Sequence, residues 1–178
     1  CLVVLLSGSQ QIGVAIAFHF PKQFHIPKEE KSLRVMQWNV HNWNQILFEN
    51  ERNFDQYTQP DMIALIKKYN ADVLCIEEFF ESTNPQKLAS NIRALRVIGY
   101  PYHYFSHGDL HDQYYLEGIA IFSKYPIINA GEIELGNKSS IKPLAFADIT
   151  FGKKNIRVIA IHLQSVRFVA QDYSNLSK

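Results

Sequence analysis

Leu33-Arg34-Val35-Met36-Gln37-Trp38-Asn39-Val40 and, further along, Asp72-Val73-Leu74-Cys75-Ile76-Glu77-Glu78 are the two stretches on which the fold of this chain turns. Both read as short apolar strands rich in branched and aromatic residues, and each ends on an oxygen-bearing side chain. One polar residue at the end of an apolar strand is easily explained. Two of them, Asn39 and Glu78, ask for a shared purpose. Taking an amide or a carboxylate out of water near a core costs roughly 2–7 kcal/mol unless a partner is supplied. A divalent cation that prefers oxygen ligands is such a partner.

Working outward, the spacing predicts a helix between the two strands. Gln59 to Asn70 places Met62, Leu65, Ile66 and Tyr69 on one face, with Pro60 and Asp61 suited to the first turn. A second helix is expected after Asn84-Pro85, a good cap and first-turn pair, with Leu88, Ile92 and Leu95 on one stripe. Strand patterns then follow at Tyr102 to Phe105, Glu117 to Ser123, Ile127 to Glu134 and Ala145 to Phe151. Gly152-Lys153-Lys154-Asn155 turns the chain into Ile156 to His162. Alternating strand and helix patterns that become strand-rich indicate a mixed α/β domain. There are no internal repeats.

The chain has 178 residues, 47% of them apolar and 13% aromatic, enough for one substantial core and short for two domains. Eighteen basic and 17 acidic residues leave a net charge of +1, so no bulk field draws the chain to nucleic acid. Any phosphate recognition must be local. Cys1 and Cys75 lie far apart, and Cys75 sits inside an apolar strand, where a free thiol behaves as a small hydrophobe. Residues 1–20 carry two apolar runs, Cys1 to Leu6 and Ile12 to Phe20, separated by polar Ser7 to Gln11. They are expected to be the end of a membrane anchor, a secretory signal being the competing reading. Residues 21–32, polar and holding two prolines, read as a linker into a domain that starts at Leu33.

Four segments in order carry a family resemblance. They are Val35-Met36-Gln37-Trp38-Asn39-Val40, Asp72 to Glu78, Glu117-Gly118-Ile119-Ala120-Ile121-Phe122-Ser123-Lys124-Tyr125-Pro126-Ile127, and Ile161-His162-Leu163-Gln164-Ser165. In these the chain resembles the endonuclease/exonuclease/phosphatase superfamily, which includes pancreatic deoxyribonuclease, abasic-site endonucleases, bacterial sphingomyelinases and inositol polyphosphate phosphatases. The upstream apolar segment, with Ser123 to Ile128 and His162 to Phe168, is similar to bacterial membrane-anchored members. The resemblance implies a four-layer α/β/β/α sandwich whose N-terminal part would be residues 33–178. It also implies a site that holds Mg²⁺ or Mn²⁺ against a phosphate ester: a nucleic acid, a phospholipid head group or an inositol phosphate. By resemblance, Glu78 matches the glutamate that binds the metal directly and Asn39 the strand-end asparagine, the two together holding the metal, while His162, the histidine that helps hold the scissile phosphate, and Asn39 are the catalytic residues. The reaction implied is in-line attack of an activated water on phosphorus. The implied location is a bacterial inner membrane.

Each of these residues also has a plain structural reading. Asn39 alone fits a strand-end asparagine bonded to local backbone, and only its pairing with Glu78 argues for a site. Glu77 and Glu78 point to opposite sides if the strand continues, so only one can serve, and the motif's register selects Glu78. His162 without the resemblance is a satisfied histidine at a strand end. Asp72 is expected to cap or turn the chain before its strand, with no site role. Ser106-His107-Gly108-Asp109-Leu110-His111-Asp112 is expected to be a solvated loop at the rim, and Arg167 a surface ion-pair residue. The Asp-x-Asn and terminal Asp-His elements of the superfamily do not occur before Lys178. The sequence is therefore expected to be a truncated part of an enzyme and inactive as it stands. The alternative is a catalytically inactive, membrane-associated binding module of the same fold.

Overall fold

Strand β1 (Val35–Asn39) lies parallel to β2 (Val73–Ser82), in a register running from Val35 opposite Val73 to Asn39 opposite Glu77. The computed structural model describes residues 27–29, 31–44, 58–84, 86, 88–107, 115–134 and 144–163. A parallel pair needs a crossover, and helix α1 (Gln59–Tyr69) lies within it. β2 also pairs antiparallel with β4 (Tyr115–Ser123), which pairs antiparallel with β3 (Tyr102–His107), giving the order β1-β2-β4-β3. A second, antiparallel sheet holds β5 (Ile127–Ile133), β6 (Leu144–Phe151) and β7 (Lys154–Ala160) in sequence order. Its last hairpin closes on Gly152-Lys153, with Gly152 at φ +61, the left-handed value a two-residue loop needs at its first position. β7 thus ends at Ala160, two residues before its expected end, and His162 follows the strand.

The chain divides into two compact units, residues 1–32 and 33–178. In the first, the Ser32 hydroxyl and amide both donate to the Glu29 carbonyl, at 2.8 and 3.1 Å. In the second, two apolar layers lie on either side of the first sheet. Between it and the second sheet, Val73, Cys75, Ile119 and Ile121 meet Ala145, Ala147, Ile149, Val158 and Ala160. On the other face Leu74, Ile76, Phe79, Phe80 and Phe122 pack with Ile66 of α1 and with Leu95 of helix α2 (Asn91–Val97). This explains why β2 begins as an unbroken apolar run: alternate side chains enter different cores, so both faces are buried. The second unit is an α/β sandwich. Helices, first sheet and second sheet are the layers formed by the described residues, and no described helix lies on the outer face of the second sheet.

Several expectations need correction. The second helix is capped by Ser90, not Asn84: the Ser90 hydroxyl accepts the Arg93 amide at 3.0 Å, and the Glu81 carboxylate accepts the Ile92 amide at 2.8 Å. Asn84 instead closes a single turn, its side chain accepting from Gln86 and its carbonyl from Leu88. A buried chain then ties both helices to β2, Gln59 donating to Asn91 and Asn91 to the Phe80 carbonyl at 2.7 Å. Tyr69 is 38% exposed, and Ile63 takes its expected place against the core.

Asp72 does more than turn the chain before β2. It is buried, and its carboxylate accepts the Arg34 amide at 2.8 Å while its own backbone bonds Arg34 and Lys124, clamping the starts of β1 and β2 to the end of β4. Ser106 and His107 belong to β3, and the buried Ser106 hydroxyl donates to Glu132 of β5. Residues 108–112, the apolar segment 1–20, the linker as far as residue 26, Pro85 and Arg167 lie outside the described residues. Among the described residues no helix is long and apolar enough to cross a membrane.

Candidate functional site

The register of β2 slips between Ile76 and Phe79: three steps along β2 match two along β4, from Ala120 to Gly118. One extra residue is therefore held out of the ladder, and Glu78, at φ +49, takes the left-handed conformation that accommodates it. The cause lies on the core side. Phe79 is fully buried, with ring centroids 5.1 Å from Phe105, 5.2 Å from Phe122 and 6.1 Å from Trp43. Burying such a ring is worth about 1.5–3 kcal/mol, more than the roughly 1–2 kcal/mol cost of one left-handed residue. Without the bulge, strict alternation would aim Glu78 at the helices. Gly118 makes the same corner possible, because a Cβ there would lie 1.9 Å from the Ser106 carbonyl oxygen.

Re-aimed by the bulge, Glu78 meets both other expected residues. The Asn39 amide donates to Glu78 Oε1 at 2.9 Å, and His162 Nε2 lies 3.5 Å from the same oxygen. The Glu78 and His162 side chains keep 22% and 16% of their surface exposed, so the group is open to a solute. Asn39 satisfies both of its readings at once, since its Oδ1 accepts the His41 amide at 3.0 Å. The structure thus brings Asn39, Glu78 and His162 together from β1, β2 and the segment after β7.

Alternation also fails to separate Glu77 from Glu78, which corrects the expectation that they face opposite sides. Glu77 Oε1 accepts Gln37 Nε2 at 2.6 Å, and the same nitrogen lies 3.4 Å from the Ile161 carbonyl oxygen. Gln37 and Asn39 share a face of β1, and Ile161 precedes His162, so both glutamates turn toward the same edge.

Beyond Asn39 the backbone makes an unusual turn. His41, Asn42, Trp43 and Asn44 all have positive φ, from 47 to 56, though none is glycine. Burial of Trp43 holds this left-handed turn, with the Trp43 amide donating to the Val40 carbonyl at 2.9 Å. Asn44 fixes the His41 ring, its Oδ1 lying 3.0 Å from Nδ1 while its amide donates to Thr58. An oxygen that only accepts places the proton of His41 on Nδ1. Sequence reasoning missed this turn and the Gln37–Glu77 pair. For the bulge, the available signal was Phe79, a large aromatic one residue out of phase with Leu74 and Ile76.

The donor set fits a hard divalent cation. Glu78 Oε1 is engaged by Asn39 and His162, while Oε2 has no partner among the described residues. Neither Glu77 nor Glu78 meets a Lys or Arg among those residues. Among the described residues no three His, Cys, Asp or Glu converge as a closed metal cage. Mg²⁺ needs none: it is commonly held through one or two carboxylates and completes its shell with water and substrate phosphate.

Comparison with known proteins places this arrangement. The solved structures similar to this chain include an endonuclease/exonuclease/phosphatase family protein from Leptotrichia buccalis, at 16% identity and TM-score 0.51, matched over 75% of this chain and 54% of that one. Another, an endonuclease/exonuclease/phosphatase from Beutenbergia cavernae, has 21% identity and TM-score 0.53 over 74% of this chain and 38% of its own. Humanized D. rerio TDP2 has 17% identity and TM-score 0.51 over 82% and 53%. The chain therefore spans about half the length, or less, of these structures. No curated protein matches the sequence. The Endonuclease/Exonuclease/phosphatase family profile matches residues 36–141, a stretch that contains Asn39 and Glu78 and ends before His162. With that profile over more than half of its residues and the sandwich beneath it, the chain belongs to the Endonuclease/Exonuclease/phosphatase family.

Proposed function

We propose that the protein of which this chain is part hydrolyses phosphate esters with the help of Mg²⁺ or Mn²⁺. The observation that carries this reading is the bulge at Glu78, a left-handed non-glycine residue that delivers a carboxylate to Asn39 and His162. Strain of this kind is kept where function demands it. Bound at Glu78, the cation would supply Lewis-acid polarisation of a phosphoryl oxygen and charge neutralisation as water adds. Asn39 holds the carboxylate by its amide and is itself fixed by the His41 backbone, so the ligand is presented in one geometry. His162, partly exposed beside that oxygen, is placed to donate to a non-bridging phosphate oxygen and to stabilise charge that grows in the transition state.

The substrate is proposed at the level of a phosphate ester, and residues 1–20 are proposed to hold the protein at a membrane through their two apolar runs. The test uses the full-length parent with bis(4-nitrophenyl) phosphate. Hydrolysis should require Mg²⁺ or Mn²⁺, stop with chelator, disappear in Glu78→Gln and fall about 10²–10³-fold in His162→Ala. Metal-independent turnover would overturn the reading. Stabilisation by metal without any turnover would leave an inactive binding module.

A further inference from the structure

Each of the three site residues has a sequence neighbour in a second, hydrogen-bonded triplet. Gln37 stands two residues before Asn39, Glu77 one before Glu78, and Ile161 one before His162. The Gln37 amide nitrogen reaches Glu77 Oε1 at 2.6 Å and the Ile161 carbonyl oxygen at 3.4 Å. One side chain therefore spans β1, β2 and the segment after β7, joining positions 40 and 124 residues away along the chain. Backbone pairing already binds β1 to β2, but the described strand ladders include none from either of them to β7.

We propose that Gln37 and Glu77 form a positioning strut that sets the distance between the Asn39–Glu78 pair and His162. The inference rests on the metal-site reading above. It assigns Glu77 a role through Gln37 and not as a metal ligand. A charge-assisted bond to an amide that also faces a backbone carbonyl restrains two elements with one rotamer, which is how partners behind a metal ligand usually act. Regular pairing with β1 keeps Glu77 on the face of Gln37, and the bulge turns Glu78 to the same edge.

Mn²⁺ titration of the chain by calorimetry, with thermal melts of the same samples, tests this. Gln37→Ala and Glu77→Ala should each weaken Mn²⁺ binding about tenfold. Glu77→Gln, which keeps an acceptor for the Gln37 amide but loses the charge, should restore most of it. Glu78→Gln should abolish binding. If Gln37→Ala lowers the melting midpoint and leaves Mn²⁺ affinity unchanged, the pair is only structural and the proposal fails. If Glu77→Gln is as weak as Glu77→Ala while Gln37→Ala binds normally, Glu77 acts by its charge and the strut is wrong. If the unaltered chain binds no Mn²⁺, the metal-site reading fails and the strut falls with it.

Discussion

The two halves of β2 follow different rules. From Val73 to Ile76 the strand is regular, buried on both faces, and paired residue for residue with β1 on one side and β4 on the other. From Ile76 to Phe79 it gains a residue, breaks its ladder with β4 and carries a glutamate at φ +49. The regular half holds two cores together; the irregular half builds the site. The comparison teaches that the site depends on a core residue: Phe79 claims the helix-side core, and Glu78 is displaced to the open edge because of it.

Removing that cause should have the largest effect. Phe79→Ala leaves a hole among Trp43, Phe105 and Phe122 and should cost about 3–5 kcal/mol in urea unfolding. In the comparison's terms it should also erase metal binding, since nothing then forces the register slip. A Phe79→Ala chain that is folded and still binds Mn²⁺ normally would break the link between core and site.

Glu78→Gly should sharpen the contrast from the other side. Glycine tolerates the left-handed backbone, so relief of strain should raise stability by about 1 kcal/mol while metal binding vanishes. Loss of stability in this variant would show that Glu78 contributes to folding and is not held at a cost.

The regular half has its own probes. Tyr100 donates to the Ala71 carbonyl at 2.7 Å, and burial, with the nearby Asp72 charge, pushes its phenol up to about 12. The folded value lies above the unfolded one, so this contribution is intact below pH 10 and is lost as the pH rises from 10 to 12. Tyr100→Phe should flatten the alkaline decline of stability in that window. Burial likewise raises the Cys75 thiol to about 12, with Glu77 adding to it. Iodoacetamide at pH 8 should therefore leave Cys75 of the native chain unmodified, as read by peptide mapping, and label it once urea exposes the strand. Rapid native labelling would mean that this half opens far more readily than its burial indicates.

Much of this was legible in the sequence. The apolar runs located β1, β2 and β4, and Asn39, Glu78 and His162 fall together as the motifs implied. What was illegible has a common physical origin. Alternation at period two presumes an unbroken ladder, so a bulge that puts Glu77 and Glu78 at one edge cannot be read from it. Left-handed backbone at His41 to Asn44 is hidden for the same reason: no glycine advertises it, and tertiary burial of Trp43 enforces it. Asn84 and Ser90 are both good caps by residue type, and the choice between them falls to the Glu81 carboxylate, whose contacts reach across the fold to the Ile92 amide. The burial of Asp72 is likewise illegible, because an aspartate before a strand usually meets water. Here the Arg34 amide takes that place.

The central claim is that the bulge at Glu78 creates a cation site shared with Asn39 and His162. Paramagnetic line broadening tests it most directly, with Mn²⁺ added in small amounts to the isotopically labelled chain. The Asn39 side-chain amide and the His162 ring signals should broaden first, together with those of Glu78, and this selectivity should disappear in Glu78→Gln. Broadening centred elsewhere, or unaltered by Glu78→Gln, would contradict the account.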